Sequence, residues 1–458
     1  MNVVCVGSGY VGSVTAAALA MIGHDTTVID VDLHKVNCIN AGRSPIFEPG
    51  LDSLIQHKVG ASLKASASFN DVHDADVVFI CVGTPSLSDG TADLSYVKAA
   101  TRSIGENLNA ERFTVVVNKS TVPVGTAELV AMILEEASGL KSEEQFAVIS
   151  NPEFLREGFA LEDIFFPDRI VIGTLNLKAR TIMRELYRPI VEQLFDDGKI
   201  RTILPAEHHT KRQITAYFET DTKSAEFIKY ASNAFLAVKI SYINEIARLS
   251  EALGSNVSDI AKGMGLDSRI GEKFLQVSSG WSGSCFPKDT GELLTTSQKY
   301  GEELSIVKAA VESNQRMYQF CVHKIQQKLK SLNGKTIGIL GLTFKPDTDD
   351  ARQTQAIPII HKLLQFGARI KVHDPKGMNM FQTLHGELPI YFCNNAEETA
   401  DRANALVLLT HWKDYRQLDW KRMYDSMKNP YILDTRNFLP AIELRDIGFD
   451  YEGIGMSY

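Results

Sequence analysis

Short runs of consecutive apolar residues, rich in Val and Ile and closed by glycine or small polar residues, recur along the first part of the chain. They are NVVCV before a glycine turn, DTTVIDVD, DADVVFICVGTP over 74–85 and FTVVVNKSTVPVGT over 113–126. Such runs, bounded by turn residues, are expected of strands buried on both faces of a parallel sheet. A different period takes over at 222. Phe227, Ala231, Ala234, Phe235, Val238 and Tyr242 recur at helical spacing, and Gly254 is a plausible stop. A helix of ~30 residues is about 45 Å long, and such an element commonly bridges domains. After further helical pattern to about 330, strands return: NGKTIGILGL, GARIKVHDP, ANALVLLTHW and NPYILDTRN, with a helix over 353–366 between the first two. The pattern predicts an α/β protein with three parts: a doubly wound domain over 1–212, a central helical domain over 213–325 with one long helix, and a second doubly wound domain over 326–458. The polar stretch at 192–213 lacks a period and is expected to be an exposed excursion.

The first turn sharpens this picture. Gly7, Gly9 and Gly12 form GxGxxG between a strand and an alanine-rich helix, the context that gives this motif its weight. Gly7 allows the tight turn, Gly9 lets a pyrophosphate approach the backbone, and Gly12 lets helix and strand pack closely. The helix N-terminus then offers unpaired N–H groups to phosphate. Asp30 ends the second strand, 18 positions after Gly12, where an acid is expected on the ribose. Its charge would repel a 2′-phosphate and so favours NAD over NADP. The strand-end residues Thr84 and Thr121 sit where ligands collect in open parallel sheets. The later domain repeats the theme, with Asp374 ending a strand. Its glycine loop, though, passes Gly338 and Gly341 into Lys345, Pro346 and Asp347, so both halves are Rossmann-like with different loop chemistry. Lys345, Arg352 and Arg436 are placed to hold phosphates, against the commoner fate of such cations as solvated surface.

Composition narrows the classes. The 458 residues carry a formal net charge of -8, so no global basic field exists to collect nucleic acid or anionic lipid. No run approaches the ~18 apolar residues of a membrane span. The N-terminal MNVVCVGSGYVG reads as a buried strand and not as a signal peptide. Six scattered cysteines, without CxxC spacing, fit a reducing cytoplasmic compartment, and no metal site is expected. Cys5 and Cys81 fall in apolar runs, whereas Cys285 lies in GWSGSCFPKD, among small residues and beside Lys288. Lys229 and Asn233 lie four apart, on one face of the long helix; taken alone, they are more simply a solvated polar stripe.

GSGYVG, CVGTP, KSTVPVGT, NPEFLREG, IKYASNAFLA, INE, SRIGEKFL, GSCFPKD, GLTFKPDTDDAR and ILDTRN occur in that order. Over nearly its whole length the chain resembles the UDP-glucose/GDP-mannose dehydrogenase family. The resemblance implies an N-terminal NAD domain, a central helical domain forming a homodimer, and a C-terminal domain binding a UDP-sugar. It implies oxidation of a primary alcohol at C6 of the sugar twice, with two NAD reduced, giving a uronic acid. Such chemistry explains a cysteine among small residues. After the first hydride has left, a second can leave only from a tetrahedral carbon, which attack by the Cys285 thiolate supplies as a thiohemiacetal; the resulting thioester is then hydrolysed. A nearby cation such as Lys288 favours the thiolate.

Carried over residue by residue, the resemblance rings the reacting carbon with Thr121, Glu153, Lys229, Asn233, Asp289 and Cys285. Lys229 and Asn233 would donate to the oxyanion, Asp289 would order a water acting as base, and Glu153 would assist proton traffic in thioester hydrolysis. Gly7, Gly9, Tyr10, Val11, Gly12, Asp30, Lys35, Thr84, Thr121, Glu157, Lys288 and Arg352 fall on NAD positions. On the substrate side stand Glu153, Phe154, Leu155, Lys229, Asn233, Arg269, the run Phe274, Leu275, Gln276, Val277 and Ser278, then Gly283, Lys345 and Arg436. Arg269 is expected to reach across the dimer. One departure is Ser282, where the family has a glycine pair before the Ser-Cys step; a serine there is expected to disturb the approach of the sugar. UDP-glucose is the expected substrate, with UDP-N-acetylhexosamines and GDP-mannose as alternatives. A nucleotide-sensing protein without chemistry would not need Cys285, Lys229, Asn233 and Asp289 together. An epimerase would need Tyr-x-x-x-Lys, and Tyr424 to Lys428 lies far from the first glycine loop.

Overall fold

The computed structural model describes residues 1–205 and 214–456, and within it the chain divides into two compact units, Met1–Ala231 and Ser232–Tyr458. The first is built on an eight-stranded sheet: β1 (Asn2–Val6), β2 (Asp25–Ile29), β3 (Leu63–Ser66), β4 (Val77–Ile80), β5 (Thr114–Asn118), β6 (Phe146–Ser150), β7 (Arg169–Gly173) and β8 (Ala216–Thr220), in the order β3-β2-β1-β4-β5-β6-β7-β8. Pairing is parallel except between β6 and β7. The apolar runs form these strands because helices cover both faces; Val77, Val78, Phe79 and Ile80 are all buried. Strand order reverses between β1 and β4, so the carboxyl ends of those two strands flank the crevice typical of ligand sites in such sheets.

Close packing of the helix Tyr10–Met21 on β1 explains its alanines: Ala16, Ala17, Ala18 and Ala20 are buried, and a larger side chain would hold helix and strand apart. At Gly12 a Cβ would come within 1.8 Å of the Gly7 carbonyl oxygen. The stretch 192–213 departs from expectation. Asp197–Ile203 is a helix, and Ile200 and Leu204 join the core of the unit. Two apolar residues four apart anchor one short helix without producing a visible period. Residues 206–213 of that stretch lie outside the described residues.

The long helix, Thr222–Leu253, buries several polar side chains beside small and apolar ones and leaves some of its largest apolar side chains exposed. Glu226, Lys229, Asn233, Ser241 and Asn244 are buried, whereas Phe227, Phe235, Tyr242 and Leu249 are exposed. The second unit holds a six-stranded sheet of β9 (Thr336–Leu340), β10 (Arg369–His373), β11 (Ile390–Phe392), β12 (Ala405–Leu408), β13 (Tyr431–Asp434) and β14 (Asp450–Gly453). It is parallel throughout in the order β11-β10-β9-β12-β13-β14, the same winding as the first six strands of the other sheet. The helices Ser305–Leu329 and Ala356–Gln365 pack on it. Lys324 bridges Glu251 at 2.8 Å and Glu452 at 2.6 Å, tying the C-terminal strand to the long helix. All six cysteines are free, and among the described residues no helix is long and apolar enough to cross a membrane.

Gly12→Ala is expected to lower stability by about 1–3 kcal/mol, because overpacked methyl groups force the backbone apart. Gly9→Ala, whose Cβ meets nothing within 4 Å, should stay within about 0.5 kcal/mol of the parent. Denaturant titration of the two variants checks the contrast; equal losses would refute the packing account of Gly12.

Candidate active site

In the first unit the glycine turn builds a cradle. Gly7 has φ +100°, which favours glycine, and Gly9 faces open space at the unblocked N-terminus of the helix Tyr10–Met21, with Val11 half-buried beside it. The Asp30 carboxylate accepts hydrogen bonds from the Ser8 N–H (2.7 Å), the Ser8 hydroxyl (2.5 Å) and the Asp32 N–H (2.9 Å), with Lys35 at 4.0 Å. Burial pushes its pKa up, but these bonds and Lys35 outweigh burial and hold it below the ordinary value, so it is a fixed anion. Thr84 donates to the Thr121 carbonyl at 2.8 Å, joining the two strand-end threonines. The Tyr10 hydroxyl accepts from the Gly158 N–H at 2.6 Å, next to half-buried Glu157. An uncapped helix start, a glycine with room above it and a fixed acid at the next strand end fit a dinucleotide.

Behind the end of β6, Lys229 and Glu153 are both buried and lie 2.9 Å apart, so the buried lysine is no solvated stripe. Glu153 also accepts the Leu155 N–H at 2.6 Å. Burial raises the Glu153 pKa, yet the Lys229 charge and hydrogen bond, the Leu155 N–H and the Lys119 charge together leave it lowered. The Phe154 ring receives the Arg169 guanidinium at 3.8 Å and the Lys229 ammonium at 5.4 Å. Arg156 instead forms an ion pair with Asp163 at 2.6 Å.

Three features escaped sequence reasoning. Lys119 is buried and donates to Asn151 Oδ1 at 3.0 Å, an oxygen also held by the Tyr187 hydroxyl at 2.6 Å. Glu226 accepts from the N–H groups of Gly125 (2.7 Å) and Ala127 (2.9 Å) and from the Ser150 hydroxyl (2.9 Å), anchoring the long helix to the VPVGT turn. Glu48 accepts from Gly158 and Ala160 N–H groups at 2.6 and 2.7 Å. The available signal was position: Lys119 directly follows the wholly buried strand Thr114–Asn118, and Glu226 lies one turn before the buried Tyr230.

In the second unit Cys285 is exposed and caps the N-terminus of the helix Phe286–Lys299, where the partial positive charge of the helix favours an anion. Cys321 and Cys393, in the same unit, are buried. Asp289, in the first turn of this helix, is 1% exposed and accepts from Asn233 Nδ2 and Lys288 Nζ, each at 2.6 Å. The loop before Cys285 is fastened by buried asparagines. Asn244 accepts the Ser278 N–H at 3.0 Å, and Asn314 accepts the Trp281 N–H at 2.7 Å and donates to its carbonyl at 2.8 Å. In the run 274–278, Phe274 has φ +65° and packs on Phe286; Leu275 and Val277 are buried in the core, and Gln276 is exposed. Any ligand contact from Leu275 or Val277 therefore comes from backbone.

Cations gather at the carboxyl ends of neighbouring strands β9, β12 and β13. Lys345 stands 5.5 Å over Phe344, the His411 ring packs on Phe438, and Arg436 donates to the Leu409 carbonyl at 2.8 Å. Burial, with Arg436 and Lys345, pushes His411 down to about 3, and its Nδ1 has no hydrogen-bond partner. An anion would relieve this concentration of positive charge. Asp374, the counterpart of Asp30, is buried and accepts from Leu342 (2.7 Å), Thr343 (3.0 Å) and Gly377 (2.7 Å), so it orders its own glycine loop. Arg352 is held by Asp350 at 2.7 Å. Arg269 is 87% exposed at the side chain and paired with Asp267. Among the described residues no group of acids, histidines and cysteines is assembled to hold a metal ion.

The two wound sheets and the dinucleotide cradle are those of an NAD-dependent dehydrogenase. Sequence profiles of the UDP-glucose/GDP-mannose dehydrogenase family match throughout: its NAD binding domain at residues 1–191, its central domain at 223–316 and its UDP binding domain at 338–441. A UDP-glucose 6-dehydrogenase of Rhizobium meliloti is 43% identical, over 99% of both chains. One from Bacillus subtilis is 40% identical, over 99% of this chain and 93% of its own. The structure of a UDP-glucose dehydrogenase from Pyrobaculum islandicum superposes with a TM-score of 0.87 at 36% identity, covering 99% of this chain and 98% of the other. The chain belongs to the UDP-glucose/GDP-mannose dehydrogenase family, and NAD is its cofactor.

The buried pair makes a signed prediction. Glu153 has a lowered folded-state pKa, so its contribution to stability is present above the unfolded-state value and is lost as pH falls through the folded one. In Lys229→Met, burial dominates and reverses the sign, so the variant loses stability as pH rises. At pH 8 the loss should be about 3–5 kcal/mol and should shrink toward pH 5. Melting temperatures across that range measure it, and a deficit that grew on acidification would overturn the assignment.

Proposed function

We propose that the protein oxidises UDP-glucose at C6 to UDP-glucuronate, removing four electrons in two steps through a thioester on Cys285. NAD would supply the hydride acceptor, one molecule for each of the two hydrides in turn; Gly7, Gly9, Tyr10, Val11, Gly12, Asp30, Lys35, Thr84, Thr121, Glu157, Lys288 and Arg352 would hold it. Asp289, through an ordered water, takes the proton from the C6 hydroxyl as the first hydride leaves. The Cys285 thiolate then adds to the aldehyde carbon, and Lys229 and Asn233 donate to the oxygen that becomes negative. When the second hydride has left, a thioester remains. Glu153, with Thr121 beside the reacting carbon, guides water onto it, the C–S bond breaks, and thiolate and carboxylate are released.

Phe154, Leu155, the run 274–278, Gly283, Lys345 and Arg436 grip the nucleotide-sugar, with Arg269 contributed across a homodimer. The dimer is supported by the exposed Phe227, Phe235 and Tyr242 on the long helix, which present apolar area to a second copy. The chain is organised as an NAD-binding part (1–212), a helical dimerisation part (213–325) and a UDP-sugar-binding part (326–458), and works in the cytoplasm.

The observation that carries this proposal is the position of Cys285: exposed, at a helix N-terminus, with a buried carboxylate fixed in the same turn. With UDP-glucose the enzyme should form two NADH per sugar consumed, and a panel of UDP-N-acetylglucosamine, UDP-N-acetylmannosamine and GDP-mannose should turn over more slowly. A ratio of one would reject the thioester route, and preference for another sugar would redirect the substrate assignment. Cys285→Ser should lose steady-state turnover and accumulate enzyme carrying an ester-linked or aldehyde-level sugar, detected by intact mass. Full activity in that variant would exclude the cysteine as nucleophile.

A further inference from the structure

The two residues before Ser284 and Cys285 are tied to the sheet edge where the cations gather. The Ser282 hydroxyl donates to Gln355 Oε1, and Gln355 is completely buried. Gln355 Nε2 in turn donates to the Leu409 carbonyl at 3.3 Å and reaches the Thr343 carbonyl and Thr410 hydroxyl at 3.5 Å. The Gly283 N–H donates to the Gln353 carbonyl at 2.5 Å. Gly283 has φ +90°, and a Cβ there would lie 2.7 Å from the Phe344 ring. The loop is thus held by one side chain, one backbone bond and one aromatic ring.

Those contacts converge on atoms that also carry the cations. The Leu409 carbonyl that receives Gln355 is the one that receives Arg436 Nε at 2.8 Å. The Phe344 ring against Gly283 is the ring beneath the Lys345 ammonium. An anion drawing Lys345 and Arg436 toward itself bears on both supports of the loop. A buried amide has no spare geometry: if the Leu409 carbonyl shifts, Gln355 must follow to keep its bonds. Ser282 therefore has a partner made for it, and does not merely crowd the sugar's approach.

We propose that Ser282 is a positioning residue whose bond to Gln355 couples nucleotide occupancy of the β9–β12–β13 edge to the reactivity of Cys285. This rests on Cys285 as nucleophile and on that edge as the nucleotide site. The coupling is read from the rate at which iodoacetamide alkylates Cys285, followed by peptide mass, with and without UDP as the sole ligand. In the parent enzyme UDP should change that rate about fivefold or more, the lower end of ordinary coupling between sites.

Ser282→Ala and Ser282→Gly should bring the ratio close to one while UDP affinity, measured by calorimetry, is retained. Ser282→Thr, which keeps the hydroxyl, should restore the ratio. A ratio preserved in the alanine and glycine variants, one not restored by threonine, or no UDP effect in the parent would each overturn the coupling. Failure of UDP to bind the parent, or alkylated Cys285 that still turns over, would remove the underlying assignment and the coupling with it. A purely structural serine would alter melting temperature but leave the UDP-dependent ratio intact.

Discussion

A buried carboxylate needs partners, and the one on Asp289 obtains them from Asn233 and Lys288. Because Asp289 sits one turn into the helix that Cys285 caps, holding the acid also holds the cysteine. The sulfur can stay exposed while its backbone is fixed by contacts that are not. Buried Asn244 and Asn314 do the same for the preceding loop through its backbone groups. The exposed cysteine thus gains its position from hydrogen bonds made away from solvent, where unmade ones are costly.

Two sheets of the same winding serve different purposes because of what ends their second strands. Asp30 is engaged by Ser8 and Asp32 near an open glycine. Asp374 spends its oxygens on Leu342, Thr343 and Gly377, closing its own loop. The later sheet instead gathers the charges of Lys345 and Arg436 near its strand ends, with His411 neutral between them, as expected where backbone donors are already used. The same topology thus offers helix-terminus chemistry in one unit and side-chain charge in the other.

Much of this was legible along the chain. The strands show as unbroken apolar runs because both sheet faces are covered, and GxGxxG is legible because each glycine answers a local steric demand at Gly7, Gly9 and Gly12. Cys285 stood out along the chain because it lies among small residues, and the structure leaves it exposed at a helix start. The inward orientation of Lys229, Asn233 and Glu226 was not. Helical spacing shows that residues share a face, but not which face is covered, and on the long helix the apolar side chains Phe227 and Phe235 turned out to be exposed. Ile200 and Leu204 were missed because two anchors make no period.

By itself, the sequence determined the alternation of strand and helix, the glycine turn, the acid 18 positions on and a cysteine set among small residues, all of which follow from backbone sterics and local chemistry. Tertiary structure decided which polar groups are buried and with whom: Glu153 with Lys229, Asp289 with Asn233, Gln355 with Ser282. Those partners lie 76, 56 and 73 residues apart. No local rule reaches so far, because the cost of burying a polar group depends on neighbours that only the folded chain supplies.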